Sequence, residues 1–228
     1  MINKIDKEKD FWDKKIIQWE DGRYLNKNNS VFEKLSDYFS SSLMFRRQKS
    51  LDFLKDINVK NKVIYELGCG SGFLAKNIID LGAKKYIGLD ISSEAIHRAN
   101  DINYDLIKQD KCLFYCGRPN DFLNIEYDVM FSLGFIDWIY DHEIYELINL
   151  TNLNKPFFHS FSALNNMSLS QLMHKFYVYF SYKRNKKLSP IYRSHSQIKS
   201  FFDNKFSINF YTNKKLNFGK FFGNIEFR

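Results

Sequence analysis

The sequence holds little proline, cysteine or glycine, and it has no long apolar run. Three prolines and ten glycines among 228 residues exclude collagen-like and low-complexity proteins. The three cysteines, Cys69, Cys112 and Cys116, are an odd number without a paired zinc motif, so we expect buried thiols in a reduced, cytoplasmic compartment. No apolar run approaches about 18 residues, which predicts no membrane insertion. The charged N-terminus lacks the apolar core of a signal peptide.

The chain has enough apolar material for one sizeable core. Hydrophobic residues make up 44% of it and aromatic residues 18%, which excludes disorder throughout. The length suits one α/β domain with an appended lobe. The net charge of +8 would suit nucleic acid, a nucleotide-sugar or a phospholipid surface. Because the basic residues are scattered, we favour a solvated surface over a dedicated polyanion site.

The first 57 residues have a helical pattern. Trp12, Ile16 and Trp19 share one face of a predicted short helix, which the region from Gly22 to Ser30 ends. Residues 31–57 predict further helix, with Ser40–Ser42 as an interruption. The aromatic residues Trp12, Trp19 and Tyr24 suit either a lid over a site or the ordinary packing of an amphipathic helix. We interpret residues 1–57 as a helical lid.

From Lys62 onward, predicted strands and helices alternate, which favours a mostly parallel, doubly wound sheet. The predicted strands are 63–67, 86–90, 113–116, 127–132 and 157–162, with helices over 73–81, 92–101 and 141–150. The segments 207–211 and 221–227 predict a closing antiparallel pair. Residues 168–182 and 197–202 predict helices of a lobe inserted before these last strands, at about 163–200.

A glycine turn between the first predicted strand and its helix is the strongest signal. Glu66–Gly72 has the pattern E-L-G-C-G-S-G, whose glycines allow a ligand close to the backbone. Position 73 is Phe, so the dinucleotide pattern G-x-G-x-x-G fails, and no P-loop Lys follows. The second strand ends in Asp90, 18 residues after Gly72. A carboxylate there can accept both ribose hydroxyls, or it can serve as a helix N-cap.

These two segments resemble motif I and the following acidic motif of class I S-adenosylmethionine-dependent methyltransferases. The resemblance runs from about Lys62 to Ser162. It implies a Rossmann-like, seven-stranded sheet with an antiparallel C-terminal strand, over a methyltransferase domain of residues 58–228. It also implies S-adenosylmethionine as cofactor and S-adenosylhomocysteine as product.

The resemblance implies roles for individual residues. The glycines would line the methionine and ribose parts of the cofactor, Glu66 would orient its amino group, and Asp90 would take the ribose hydroxyls. Arg118 stands where the family places an Asp for the adenine, and Asn120–Phe122 would supply that contact instead. Arg46 or Arg47 would reach the cofactor carboxylate, or lie on the surface. The full set of expected cofactor residues is Glu66, Leu67, Gly68, Cys69, Gly70, Gly72, Asp90, Ile91, Asp121, Phe122, Ser132 and Leu133.

The sequence restricts the acceptor only by exclusion. Segment 131–138 lacks the Pro-Pro of enzymes that methylate exocyclic base nitrogens. His142 is the candidate general base, with helix decoration as the alternative. His159 is expected to be a core histidine, and His174 and His195 lie in the variable lobe. Segment 158–202 resembles the acceptor lobe of methyltransferases for tetrapyrroles and surface-polysaccharide sugars, without selecting a substrate. No metal site is expected.

We therefore expect an enzyme that methylates oxygen, with nitrogen as second choice, on a small molecule or sugar. The first alternative is an RNA- or polyanion-directed methyltransferase, motivated by the net charge of +8. The second is a non-catalytic cofactor-binding or partner-activating subunit, motivated by Arg118. The oligomeric state is open.

Overall fold

The computed structural model describes residues 4–24, 33–152, 154–164, 171–172, 174–175, 189–202, 205 and 207–228. Seven helices and seven strands are described within these ranges. The helices are α1 (Lys4–Tyr24), α2 (Glu33–Asp56), α3 (Ala75–Asp80), α4 (Ser93–Ile102), α5 (Tyr104–Lys108), α6 (Asp141–Leu150) and α7 (His195–Phe202). The strands are β1 (Val63–Leu67), β2 (Lys85–Asp90), β3 (Cys112–Cys116), β4 (Val129–Ser132), β5 (Phe157–Ser162), β6 (Asn209–Tyr211) and β7 (Gly219–Gly223). Short 3-10 turns follow β3 and β4 and precede β7.

All seven strands form one sheet in the order β3-β2-β1-β4-β5-β7-β6. Strands β1 to β5 pair in parallel, and β7 pairs antiparallel with both β5 and β6. This confirms the predicted Rossmann-like sheet with a closing antiparallel pair. The chain order reverses between β1 and β4, so a crevice opens at their carboxyl ends. Open α/β sheets bind ligands at such a switch point.

The core lies on both faces of the sheet because its central strands are apolar on both sides. One face packs Phe53 and Leu54 of α2 with Ile78 of α3. The other face packs Ile144 and Leu147 of α6 with the α7 residues Ile198 and Phe202. Phe53 contacts Phe158 and Phe221 edge-to-face, at ring-centroid distances of 5.7 and 5.2 Å. These contacts anchor α2 to β5 and β7.

The two N-terminal helices are longer than the sequence predicts. Helix α1 continues through Gly22, which was expected to end it. Helix α2 runs without a break across Ser40–Ser42. Both corrections have the same cause, since tertiary packing of a helical face outweighs local propensity. Phe11 and Ile16 of α1 are both buried.

The ends of the strands and the helix caps lie close to their predicted positions. Strand β4 begins at Val129 rather than Tyr127, and β7 covers Gly219–Gly223 rather than 221–227. The predicted N-cap Ser92 accepts a hydrogen bond from Ala95 N (3.1 Å). Gly82 follows α3 with φ of +92°, as expected of a C-cap glycine.

The predicted buried state of the cysteines is correct at two positions and wrong at the third. Cys69 and Cys112 are buried, whereas Cys116 is exposed. Cys116 ends β3, which is one of the two edge strands of the sheet, so no further strand pairs with it on its outer side. Its Sγ lies 3.6 Å from Ile91 O.

Most of the predicted helix over 168–182 lies outside the described residues, as does the side chain of Tyr24. Within the described ranges, no helix is both long enough and apolar enough to span a membrane.

Gly223 tests the packing of β7. A Cβ added there would lie 2.2 Å from Phe157 O, which is backbone and cannot move aside. We expect Gly223→Ala to lower the free energy of unfolding by about 1–3 kcal/mol through overpacking. Urea unfolding measures this, with Leu123→Ala as control because Leu123 is 63% exposed. Equal stability of the two variants would contradict the described strand pairing.

Candidate functional site

A cavity of about 270 Å³ opens at the carboxyl ends of β1, β2 and β4. Helices α1 and α2 cover it, and the turns after β3 and β4 form its far walls. Its lining includes the glycine turn, Asp90 and Ile91 at one end, and Arg46, Asp137 and Ser162 at the other. The cavity thus has two ends, which we call the turn end and the β5 end.

The glycine turn adopts a conformation that side chains resist. Gly68, Gly70 and Gly72 have φ of +69°, +53° and +65°. A Cβ at Gly70 would lie 2.3 Å from Glu20 Oε1 and would have to displace that carboxylate, and the positive φ itself favours glycine. The turn therefore exposes backbone at the cavity wall, as its sequence predicts.

Asp90 joins the end of β2 to the glycine turn. Its Oδ2 accepts a hydrogen bond from Gly70 N and its Oδ1 accepts one from Ser92 N, both at 2.9 Å. Each carboxylate oxygen retains a further lone pair, which suits it to the hydroxyls of a ribose. Ile91 follows it in the lining.

Glu66 is a buried acid behind the turn. The hydroxyl of Tyr86 donates to its Oε2 (2.6 Å), and only 4% of the residue is exposed. Burial raises the pKa of Glu66 to about 8, against the hydrogen bond from Tyr86 and the attraction of Arg47.

Glu20 of α1 is a site residue that sequence reasoning missed. Its Oε1 accepts from Ser71 N at 2.8 Å, and its Oε2 accepts from the Ser71 hydroxyl. Burial raises its pKa, and Arg98 opposes that rise. Its spacing from Ile16 places it on the apolar face of α1, and that placement was the only available signal.

Helix α1 is tied to the body by further polar contacts. Asp13 accepts from the hydroxyl of Ser92 at 2.7 Å and from Glu94 N at 3.3 Å, at the start of α4. Asp21 pairs with Arg98 (2.6 Å). The face of α1 toward the cavity carries Glu8, Trp12, Ile16, Trp19 and Glu20.

The structure brings seven of the expected cofactor residues to the cavity wall. These are Glu66, Gly68, Cys69, Gly70, Asp90, Ile91 and Leu133. Leu67 lies in the core, and Gly72 packs on Phe114, whose ring would lie 2.5 Å from an added Cβ. Ser132 is fully buried, and its Oγ forms a hydrogen bond with His159 Nδ1 at 2.9 Å.

The turn after β3 departs from the roles that the resemblance implies. Asp121 Oδ2 accepts from Arg118 N (2.8 Å), and Phe122 packs on Tyr115 at a ring-centroid distance of 4.8 Å. Both side chains shape the turn and are absent from the described lining. Arg118 does line the cavity, and it pairs with Glu8 of α1 and Glu143 of α6.

The candidate base His142 lies outside the cavity. Its side chain is exposed and stacks on Tyr140, with ring centroids 6.0 Å apart. The position on the outer face of α6 was not evident from sequence, because a single residue at a helix start does not fix the direction of its side chain. His174 lines the cavity instead, with Nδ1 bonded to the hydroxyl of Tyr192. His159 is the expected core histidine, and burial lowers its pKa to about 3.

The β5 end holds two buried charged residues. Arg46 is 9% exposed, and its Nη1 donates to Ser160 Oγ at 3.4 Å. Asp137 is 6% exposed, and it accepts from Ser162 N (2.6 Å) and Ser162 Oγ (2.8 Å). Sequence reasoning missed Asp137, because a 3-10 turn of three residues has no periodic signal.

The turn end fits the cofactor that the resemblance implies. S-adenosylmethionine carries a sulfonium and an ammonium, and the acids Glu20, Glu66 and Asp90 line the cavity beside the turn, where a bound cation favours their charged forms. Bare glycine backbone lines the cavity there, and the remaining lone pairs of Asp90 suit the ribose hydroxyls that the resemblance assigns to this residue.

Asp90 should dominate cofactor affinity. We expect Asp90→Asn to weaken binding of S-adenosylhomocysteine about tenfold or more, because hydrogen bonds to a charged acceptor are lost. Titration calorimetry measures this. Asp101→Asn is the control, since Asp101 is exposed in the same region at the end of α4. Unchanged affinity in the Asp90 variant would contradict the placement of the ribose.

Glu66 should make stability fall with rising pH. Its pKa rises from 4.5 in the unfolded chain to about 8 in the folded protein. The folded state therefore binds more protons between these values, and it loses stability as pH rises through that window. We expect Glu66→Gln to flatten this part of the profile in urea unfolding. Glu126→Gln, at an exposed carboxyl, should keep the slope. An unchanged slope in the Glu66 variant would be inconsistent with this assignment.

Curated relatives match part of this chain. A ribosomal protein L11 methyltransferase from Hamiltonella defensa is 43% identical over 51 residues, covering 22% of this chain and 17% of the relative. One from Shewanella frigidimarina is 39% identical over 82 residues, covering 35% of this chain and 27% of the relative. The chain thus spans less than a third of the length of these relatives.

Solved structures match the whole fold. Magnesium protoporphyrin IX methyltransferase from Synechocystis PCC 6803, with bound S-adenosylhomocysteine, superimposes with a TM-score of 0.69 at 16% identity. The match covers 95% of this chain and 97% of that one. The DhpI-SAM-HEP complex gives a TM-score of 0.62 at 11% identity, over 98% of both chains.

The family model described as "Methyltransferase domain" matches residues 58–192, more than half of the chain. This range contains the sheet up to β5, the glycine turn and Asp90. The match agrees with a cofactor end that fits S-adenosylmethionine and with a fold shared with structures that hold it. The chain belongs to the class I S-adenosylmethionine-dependent methyltransferases.

Proposed function

We propose that this enzyme methylates oxygen on a small molecule, and that residues 1–57 act as a lid over the site. The observation that carries the proposal is the enclosure of the cavity. The acceptor must fit between α1, α2, the turn after β4, and the residues Pro190 and Phe218. A small molecule fits such a space, whereas a folded macromolecule would have to displace α1.

The charge of the cavity supports a small acceptor over RNA. Its described lining contains seven carboxylates and three arginines, although the whole chain has a net charge of +8. The carboxylates are Glu8, Glu20, Glu66, Asp90, Asp137, Glu143 and Glu146, and the arginines are Arg46, Arg47 and Arg118. A polyanion such as RNA would meet this excess of acids over arginines at the cavity and be repelled by it.

The chain's contribution to catalysis is mainly positioning. The bound cofactor supplies a methyl group on a reactive sulfonium, so that alignment of the acceptor provides much of the acceleration. Leu133 and Gly134 directly follow β4 and lie between the two ends of the cavity, where they set the distance between cofactor and acceptor. Trp12 and Trp138 pack edge-to-face at 4.7 Å across the same region, and they restrict the access of water.

The proposal predicts where a transferred methyl group appears. The protein is incubated with methyl-labelled S-adenosylmethionine and, separately, with a small-molecule ultrafiltrate, total RNA and ribosomal protein from a cell extract. We expect label in the ultrafiltrate, bound to oxygen when the product is characterised by NMR. Asp90→Asn is the matched control and should transfer little label. Label confined to RNA or ribosomal protein, or bound to nitrogen, would refute the proposal.

A further inference from the structure

We propose that Arg46 forms an oxyanion subsite for the methyl acceptor, so that the methylated group is a carboxylate, phosphate or phosphonate oxygen. The inference rests on the proposed function, transfer to oxygen of a small molecule, and it specifies the acceptor chemistry.

The guanidinium of Arg46 is held against backbone at the β5 end. A Cβ added at Gly219 would lie 2.4 Å from its Nη2, and one at Gly134 would lie 3.9 Å from its Nη1. Nη1 also donates to Ser160 Oγ at 3.4 Å. These contacts fix a planar, permanently charged donor group in the cavity wall. Such a group suits bidentate recognition of an oxyanion.

Arg46 and Arg47 serve opposite ends of the cavity. Successive residues of an α-helix diverge by about 100°, because one turn holds 3.6 residues. Arg47 Nη2 donates to Phe73 O (3.3 Å), directly after the glycine turn, and Arg47 attracts Glu66. We therefore assign Arg47 to the carboxylate of the cofactor. Arg46 lies beyond Gly134, on the side of β5 and β7, and this side is left for the acceptor.

The distribution of acids along the cavity agrees with this assignment of the two arginines. Glu20, Glu66 and Asp90 surround the turn end, where the cofactor brings positive charge. At the β5 end the described carboxylate is Asp137, and both of its oxygens already accept hydrogen bonds from Ser162. Arg46 attracts Asp137, so the β5 end combines one arginine with one described carboxylate, whereas the turn end holds three acids.

The chemistry of such an acceptor agrees with the position of His142. An acceptor oxygen that is already anionic attacks the methyl carbon, and the C–O bond forms as the C–S bond breaks. The electron pair of that bond stays on sulfur, which becomes the thioether of S-adenosylhomocysteine. The product is a methyl ester, and no proton has to be removed. A general base in contact with the acceptor is then unnecessary, and His142 lies exposed outside the cavity.

Ligand titrations distinguish the proposed roles of Arg46 and Arg47. Wild type, Arg46→Gln and Arg47→Gln are titrated with S-adenosylhomocysteine. Tryptophan fluorescence is the readout, because all three tryptophans of the chain line the cavity. The complexes are then titrated with benzoate, phenylphosphonate and the neutral isostere benzamide. We expect Arg47→Gln to weaken S-adenosylhomocysteine about tenfold, and Arg46→Gln to leave it within about threefold.

For wild type we expect benzoate or phenylphosphonate to bind about tenfold more tightly than benzamide, and Arg46→Gln to abolish that preference. Which anion binds better distinguishes a carboxylate acceptor from a phosphate or phosphonate. The inference is overturned if wild type shows no preference for the anions over benzamide. It is also overturned if Arg46→Gln keeps that preference. A tenfold loss of S-adenosylhomocysteine affinity in Arg46→Gln assigns Arg46 to the cofactor and also overturns it. If Arg46→Gln does not fold, Arg46→Lys should keep the preference with weaker binding, because the charge remains but bidentate geometry is lost.

Alkali treatment of the labelled ultrafiltrate separates this inference from the proposed function. A methyl ester of a carboxylate releases labelled methanol in alkali, and a methyl phosphate or phosphonate is identified by phosphorus NMR. Label on an ether oxygen would overturn the oxyanion subsite while leaving transfer to oxygen intact. Absence of label on any small-molecule oxygen would refute the proposed function, whatever the binding titrations show.

Discussion

The hydrogen bond from Gly70 N to Asp90 Oδ2 (2.9 Å) is the contact on which the site depends. It joins the turn after β1 to the end of β2, next to the point where the sheet reverses direction. Backbone hydrogen bonds from Gly68 N (2.7 Å) and Cys69 N (3.0 Å) to Leu89 O join the same two segments, and the Asp90 contact extends this connection to Gly70. The same carboxylate also accepts from Ser92 N, so it fixes the start of α4 as well. One acid thus shapes the binding site and retains lone pairs for the ligand.

Charge is segregated along the cavity. Glu20 and Glu66 lie beside the turn and are buried, and burial raises the pKa of both. Holding acids in this state costs stability, which is typical of groups placed for ligand binding rather than folding. Arg193 shows the contrasting case at 2% exposure, because its guanidinium donates to the carbonyls of Ile136 and Ile139 and to Asp141. Its donors serve the structure, and it does not line the cavity.

The sequence predicted the sheet and the turn end well, because both depend on local patterns. Alternating elements, a glycine turn and a strand-terminal acid each occupy a few consecutive residues. The misplaced or missed residues depend on tertiary contacts instead. Glu20 joins the site only because α1 packs over Ser71, and Asp137 does so only because β5 presents Ser162 to it. His142 points outward because the face of α6 that carries Ile144 and Leu147 is buried. Cys116 is exposed because β3 is an edge strand.

The attachment of α1 has a consequence for how the enzyme responds to its medium. Charged contacts contribute to the attachment of this helix, among them Asp21 with Arg98 and Glu8 with Arg118. Added salt weakens partly exposed ion pairs such as Asp21–Arg98, and it weakens the more buried Glu8–Arg118 pair less. Apolar contacts of Phe11 and Ile16 are not weakened in this way. If α1 acts as the proposed lid, its release from the cavity, and with it the exchange of product for fresh cofactor, would respond to salt.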